Sequence, residues 1–244
     1  MVISTNRHTI AIRNDGSLWS CGYNSIGELG LGPIISMVDT FTQVGTDINW
    51  RTVSPASGFT TAIKDNNTLW AWGENSYGQV GDGTTLFVAT PKQIGVDANW
   101  ATIAAGFYHS LAIWGEGAFG KLGNGATSNN LIPVKIGDGN NWHSVSASPF
   151  HSLALKNDGT LWACGRNAYG EIGDGTRTEK DTFIKIGNDT NWKYILSGNG
   201  ISNCLKKNNT LWVCGAGLLG NGENFSTDTL IQINSFFLIH GLAV

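Results

Sequence analysis

Residues 151–173 read HSLALKNDGTLWACGRNAYGEIG, and this stretch determines the fold class. Two apolar runs, at 153–155 and 161–164, alternate as half-buried strands do, and they flank the polar turn NDG at 157–159. Its glycine permits a positive φ, so the segment predicts a tight β-hairpin. Comparable runs precede and follow the hairpin, at 145–147 and 183–186. One unit therefore supplies four short strands and no helix of consequence.

The same unit recurs along the chain. An Asn-Trp pair returns at intervals of 50, 42 and 50 residues, with its tryptophans at Trp50, Trp100, Trp142 and Trp192. A second marker position, nine residues after each Trp, holds Phe59, His109, His151 and Ile201, and His8 matches it in the first copy. Four short strands per period of about 50 residues are typical of one β-propeller blade. We therefore predict an all-β β-propeller of four-stranded blades.

The repeats fill the chain as a single domain, 1–244. Their approximate boundaries are 1–50, 51–100, 101–142, 143–192 and 193–244. The third copy is shortened: Ile113 runs straight into Trp114, where neighbouring copies carry eight more residues, KDNNTLWA or KNDGTLWA. The third blade should therefore lack the tip of its hairpin.

The combined pattern AGFYHSLAI, LWACG and NAYGEIGDGT resembles the repeat of the regulator of chromosome condensation family. The resemblance covers nearly the whole chain, and the Asn-Trp pairs look most like bacterial members. It implies a ring of about seven blades, whereas this chain holds five copies. Leu242 would occupy the first-strand position a sixth time, so a closed five-bladed ring and an open, incomplete ring both fit the sequence.

The composition argues against some classes of partner. The net charge is −3 and charged residues make up 14% of the 244, against about 25% in an average globular protein. Neither nucleic acid nor an anionic membrane is expected as a partner, because such binders carry clustered Lys and Arg. The apolar segment 235–244 is too short to span a bilayer, and residues 1–10 lack the pattern of a secretory signal. A cytoplasmic location is the default expectation.

No catalytic or cofactor site emerges from the motifs. Cys21, Cys164 and Cys214 share one repeat position with Trp72 and Trp114, which is typical of core packing. No CxxC spacing suggests a metal site. Residues 115–120 and 215–220 match the spacing of a dinucleotide-binding loop, but no helix follows either. We expect no enzyme activity, no metal and no cofactor.

The candidate site is the short turn before the repeated histidine, because the resemblance places it on the partner-facing side of the ring. Its residues are Phe59, Phe107, Tyr108, His109, Phe150 and His151. Aromatic side chains are enriched at interface hot spots. The alternative is that these rings pack between blades and that the histidines bond to backbone.

The sequence thus predicts a non-enzymatic scaffold that binds a protein partner. The resemblance leaves a second hypothesis open, guanine-nucleotide exchange on a small GTPase, which is the activity of the founding family member. That member carries an inserted wedge-like hairpin and a basic tail, and this chain has neither. A lectin-like sugar binder is a third hypothesis, suggested by the fivefold count alone.

Overall fold

The computed structural model describes residues 1–32, 36–98, 100, 102–106, 109–111, 114–115, 118–133, 141–219 and 224–233. The first sheet contains β1 (Val2–Ser4), β2 (His8–Ile12), β3 (Leu18–Tyr23) and β4 (Met37–Gln43). The second contains β5 (Trp50–Pro55), β6 (Phe59–Lys64), β7 (Leu69–Gly73) and β8 (Val88–Ile94). The third contains β9 (Ala104–Ala105), β10 (His109–Leu111) and β11 (Trp114–Gly115). The fourth contains β12 (Trp142–Ala147), β13 (His151–Lys156), β14 (Leu161–Gly165) and β15 (Lys180–Lys185). The fifth contains β16 (Trp192–Ser197), β17 (Ile201–Lys206), β18 (Leu211–Leu218) and β19 (Asn224–Ile233).

Every sheet is an antiparallel meander whose strand order follows the chain. Four sheets have four strands, and they form the blades of a β-propeller. In the described part of the chain the only helical element is a 3₁₀ turn at Ala118–Gly120. The prediction of an all-β propeller is confirmed.

The third sheet is the smallest, with strands of two or three residues. Ser110 pairs with Trp114, whereas the matching hairpin of the fourth sheet extends further, to the pair Leu155 and Leu161. The eight residues that this copy lacks are the ones that lengthen the hairpin elsewhere. Because only three strands of the third sheet lie in the described part of the chain, the count of five complete repeats stays a prediction.

The hairpins of the first, second, fourth and fifth sheets are held at the tip by one repeated set of contacts. In the fourth sheet, Asp158 accepts hydrogen bonds from the backbone N–H and the hydroxyl of Thr160, and the Trp162 indole N–H donates to that hydroxyl at 2.9 Å. The Lys156 ammonium lies 4.9 Å from the ring centre of Trp142 and 3.9 Å from that of Trp162. Lys64 and Lys206 are held between two tryptophans in the same way. The Asn-Trp marker is thus a structural feature of the fold.

Neighbouring sheets pack face to face through apolar cores. One core joins the first two sheets and includes Ile10, Leu18, Val53 and Trp72. A second joins the fourth and fifth sheets. The loops after the third strands also bond to the next unit through glycine N–H groups that donate to backbone carbonyls at 2.8–3.0 Å. Three of the acceptors, Ala89, Asp181 and Asp228, lie on outer strands, and the fourth is Leu131. The burial of a glycine-rich loop against the next blade explains why glycine recurs there.

Both ends of the array carry exposed apolar side chains. Val2 on the first sheet is 67% exposed, although Val53 at the same repeat position is 1% exposed against the first sheet. Leu196 on the fifth sheet is 64% exposed. In the described part of the chain no sheet covers Val2 or Leu196, whereas Val213 and Ile233 of the fifth sheet are 1% and 5% exposed. Both the closed and the open arrangement that the sequence allowed therefore stay predictions.

Candidate functional site

Two kinds of connection lie at the same end of every meander, because adjacent strands are antiparallel. We call this end the loop face. It comprises the turns between first and second strands (5–7, 56–58, 148–150, 198–200) and the loops between third and fourth strands (24–32, 74–87, 166–179). The hairpin tips and the connections between sheets lie at the opposite end, the hairpin face.

The turns of four neighbouring sheets line a shared cavity of about 300 Å³. Its lining residues are Thr5, Asn6, Ala56, Ser57, Ala105, Gly106, Ala147 and Pro149. They are small or uncharged, so the cavity offers backbone groups and little electrostatic discrimination.

The three histidines of the marker position form the floor of the loop face and link neighbouring sheets. Their Nε2 atoms pair with hydroxyls of the next sheet, as His8–Thr60 at 3.2 Å, His109–Ser152 at 3.2 Å and His151–Ser202 at 2.9 Å. These hydroxyls donate in turn to the backbone carbonyls of Glu28, Lys121 and Glu171. Because each hydroxyl proton is committed to a carbonyl, Nε2 is placed to donate the first bond. In the neutral ring the proton then lies on Nε2.

Burial enforces the neutral form. It lowers the pKa of His8 and of His151 to about 4, and it lowers the pKa of His109 well below its usual range. On the other side of the ring, Nδ1 of His8 lies 3.2 Å from the Thr5 hydroxyl, and Nδ1 of His151 lies 2.9 Å from the Ser148 hydroxyl. The imidazoles of His8 and His151 thus join a turn to the next blade, which makes them structural elements of the site.

The predicted contact residues differ sharply in accessibility. Phe59, His109 and His151 are all 0% exposed, so they support the loop face from beneath. Phe150 is half-buried and retains accessible ring surface. Phe107 and Tyr108 lie outside the described residues. A partner contact by any of the six stays a prediction.

The structure adds a row of aromatic side chains that sequence reasoning did not select. Tyr77, Phe119 and Tyr169 are 36%, 39% and 45% exposed, and each directly precedes a glycine of the loops after the third strand. The side chain two residues further on fixes two of these loops, because Gln79 accepts from Tyr77 N–H at 2.9 Å and Glu171 accepts from Tyr169 N–H at 2.8 Å. The sequence pattern that could have indicated these three residues is an aromatic residue that recurs inside a polar, glycine-rich loop.

The described cysteines are buried or partly buried. Burial raises the pKa of Cys164 and Cys204 well above the usual value and that of Cys214 to about 12, so none of the three is a ready nucleophile. Within the described ranges no group of three or more His, Cys, Asp or Glu side chains could hold a metal ion. Nor does any helix there have the length and apolarity needed to cross a membrane.

Comparison with known sequences now identifies the repeat. A sequence model of the regulator of chromosome condensation (RCC1) repeat matches residues 66–113 and 113–155, and a second model of the same repeat matches 142–171. The central part of the chain, 66–171, therefore consists of RCC1 repeats. The matches span the shortened third copy and the two sheets beside it, so RCC1 repeats lie at the centre of the chain.

Relatives of this RCC1-repeat chain are partial matches. The ultraviolet-B receptor UVR8 of Arabidopsis thaliana is 28% identical over 116 residues, which is 46% of this chain and 26% of that protein. The RCC2 homolog of Xenopus laevis is 37% identical over 90 residues, 36% of this chain and 17% of that protein. The structure of Prp20p from Saccharomyces cerevisiae shares the fold, with a TM-score of 0.83 and 20% identity, and the match covers 96% of this chain and 63% of that one. The chain is thus shorter than each of these proteins.

Proposed function

We propose that this RCC1-repeat chain is a protein-binding scaffold without catalytic activity of its own, and that it binds through the loop face. The observation that carries the proposal is the exposed aromatic row on three neighbouring sheets, formed by Tyr77, Phe119 and Tyr169. Aromatic side chains with accessible ring surface are favoured at interface centres. Loops held on a rigid scaffold are where binding residues concentrate.

Two further observations support a binding role. Beneath the row, the histidine links and the glycine-loop bonds fix the loops to the next blade, so the aromatic side chains are presented on a rigid base. Among relatives, the yeast protein Prp20p is described by its binding to Gsp1p and histones. From Prp20p we infer for this chain only the general role, which is binding of a protein partner.

The test compares two surface variants of matched character. The loop-face variant carries Tyr77→Ser and Tyr169→Ser, and the control carries Ile48→Ser and Val96→Ser on the hairpin face, where these two residues are 64% and 92% exposed. A partner is first isolated with the wild-type chain from cells that express it, and its affinity for each purified variant is then measured by calorimetry. We expect at least a tenfold loss for the loop-face variant, from about 1.4 kcal/mol or more.

Two outcomes would contradict the proposal. A loss confined to the hairpin-face variant would place binding on the other end of the propeller. Acceleration of nucleotide release from a panel of small GTPases by the purified chain would favour the exchange-factor hypothesis instead, because a scaffold alone leaves that rate unchanged.

A further inference from the structure

One cationic side chain on the loop face is surrounded by aromatic rings. The guanidinium carbon of Arg166 lies 4.9 Å from the ring centre of Phe150, 5.0 Å from that of Tyr169 and 6.0 Å from that of Phe119. Phe119 and Phe150 meet edge to face, with centres 6.2 Å apart and planes at 79°. Stacking on aromatic faces holds a guanidinium in place and leaves the edge of its plane available for hydrogen bonds. We call these four residues the arginine cluster.

The cluster joins two neighbouring blades. Phe119 comes from the 3₁₀ turn that follows the third sheet's β11, Phe150 from a first-strand turn of the fourth sheet, and Arg166 and Tyr169 from the loop after β14. The backbone N–H of Arg166 donates to the Phe150 carbonyl at 3.0 Å, which ties the loop to the turn. The aromatic rings are partly accessible, and the Arg166 side chain is itself 24% exposed.

The hydrogen-bonding capacity of this arginine is largely unused. Its nearest carboxylate is that of Glu171, whose Oε1 lies 4.0 Å from Nε and is buried. At that distance the carboxylate attracts the cation without accepting a normal hydrogen bond. The terminal nitrogens of Arg166 have no hydrogen-bond partner among the described residues. A fork of N–H donors on a partly exposed side chain therefore lies among the aromatic rings.

The fold does not require an arginine at this place. Arg166 directly follows Gly165, the glycine that recurs at this position of the third strand. The residue at the repeat position of Arg166 is Tyr23 in the first copy, Glu74 in the second and Ala216 in the fifth. A residue that the blade needs for its structure would be of similar type in most copies. The cationic character is therefore local to the junction of the third and fourth sheets.

We propose that the arginine cluster binds an acidic segment of a protein partner, with Arg166 accepting a carboxylate side chain and with Phe119 and Tyr169 contacting an apolar residue beside it. The proposal rests on the proposed function and adds the chemistry of the partner. The planar fork matches a carboxylate through two parallel hydrogen bonds, and the surrounding rings exclude water that would screen the pair. The rings provide the apolar contact area.

The experiment uses a phage-displayed library of random 12-residue peptides selected on the purified full chain. We expect selected peptides to share an Asp or Glu next to an aromatic or branched aliphatic residue. Synthetic versions should bind Arg166→Met at least tenfold more weakly than wild type, with Arg166→Lys between them because an ammonium cannot form the paired bonds. The control, Arg13→Met, removes an arginine stacked on Trp19 at the hairpin face and should bind as wild type does.

A double substitution shows whether the acid meets the arginine. Replacing the peptide's acidic residue by its amide should weaken binding to wild type tenfold but should change binding to Arg166→Met by less than twofold. Thermal melts of the variants establish that each is folded. Three results would each overturn the inference. The amide change could weaken binding equally on both proteins, the selected peptides could lack acidic residues, or only a phosphorylated peptide could bind.

Failure here is separable from failure of the proposed function. Peptides that bind Arg166→Met normally but lose affinity for the Tyr77→Ser and Tyr169→Ser variant would leave the loop face as the binding surface and remove only the acidic-partner chemistry. Selection of no peptide at all would overturn the inference, whereas the partner measurements described above would still test the scaffold.

Discussion

At the scale of single residues, identical repeat positions have different roles because their surroundings differ. The marker position holds a histidine in three copies and Phe59 or Ile201 in the other two. Where it is histidine, the ring donates to the next blade and is neutral. An uncharged imidazole can be replaced by an apolar ring without leaving an unpaired charge, which explains how Phe59 fits the same place.

The buried histidines should make stability depend on pH in the acidic range. The pKa of His151 is about 4 in the folded chain and near 6.5 when unfolded, so the unfolded state binds more protons between these values. The stabilisation is therefore complete above pH 6.5 and is lost as the pH falls from 6.5 to 4, by up to about 1.4 kcal/mol per pH unit for each such histidine. The free energy of unfolding, measured with urea at several pH values, should fall less steeply with decreasing pH in His151→Phe than in wild type, by that amount. An unchanged slope would mean that this ring is not buried in neutral form.

Phe59 begins β6 and Phe150 ends the corresponding turn of the fourth sheet, and the two should respond differently to truncation. Phe59 is fully buried, so Phe59→Ala should lower the free energy of unfolding by about 3–5 kcal/mol. Phe150 contacts Phe119 and Arg166 at the surface, and Phe150→Ala should cost about 1–2 kcal/mol, mainly from the lost edge-to-face and cation–π contacts. Chemical denaturation of both variants measures this. Equal large losses would make Phe150 a core residue and remove it from the binding surface.

At the scale of elements, the close approach of two segments decides the shape of each loop-face turn. Gly165 ends β14 with φ of +112°, and a Cβ there would lie 2.6 Å from the Phe150 carbonyl oxygen and 2.6 Å from the Cα of His151. Backbone atoms cannot yield as a flexible side chain can. Only glycine lets the strand end approach the turn that carries Phe150.

Gly165→Ala should therefore destabilise the protein far more than a glycine substitution in open space. Gly187 also has a positive φ, +62°, but a Cβ there would meet nothing within 4 Å. Gly187→Ala should cost only the conformational strain, about 1–2 kcal/mol, and Gly165→Ala about 3 kcal/mol or more. The measurement is the midpoint and slope of urea unfolding. Similar losses for the two variants would show that the turn can move away from β14.

At the scale of the whole molecule, each blade interface is the same apolar surface used again, and Val2 at the start of the array leaves its copy of that surface exposed. A charge should therefore be tolerated on the free face and not inside. Val2→Asp should change the free energy of unfolding by about 0.5 kcal/mol or less, because Val2 is 67% exposed. Val53→Asp, at the same repeat position but 1% exposed, should lower it by more than about 3 kcal/mol.

Urea unfolding of both variants, with sedimentation to report the state of association, distinguishes the open arrangement from its alternatives. A large loss in Val2→Asp would show that the first sheet is covered in solution, by the fifth sheet or by a second copy of the chain.

The sequence by itself determined the all-β class, the four-strand unit and the deficit of the third copy, because these follow from alternation and turn residues within some twenty positions. It also indicated which end of the blades carries the candidate site. It could not separate Phe59 from Phe150, since the burial of a ring in a turn depends on the neighbouring blade. It also did not single out Arg166, whose aromatic contacts come from segments up to 47 positions away. Tertiary structure decided which aromatic rings stay accessible, because only the packing of successive blades determines what covers each loop.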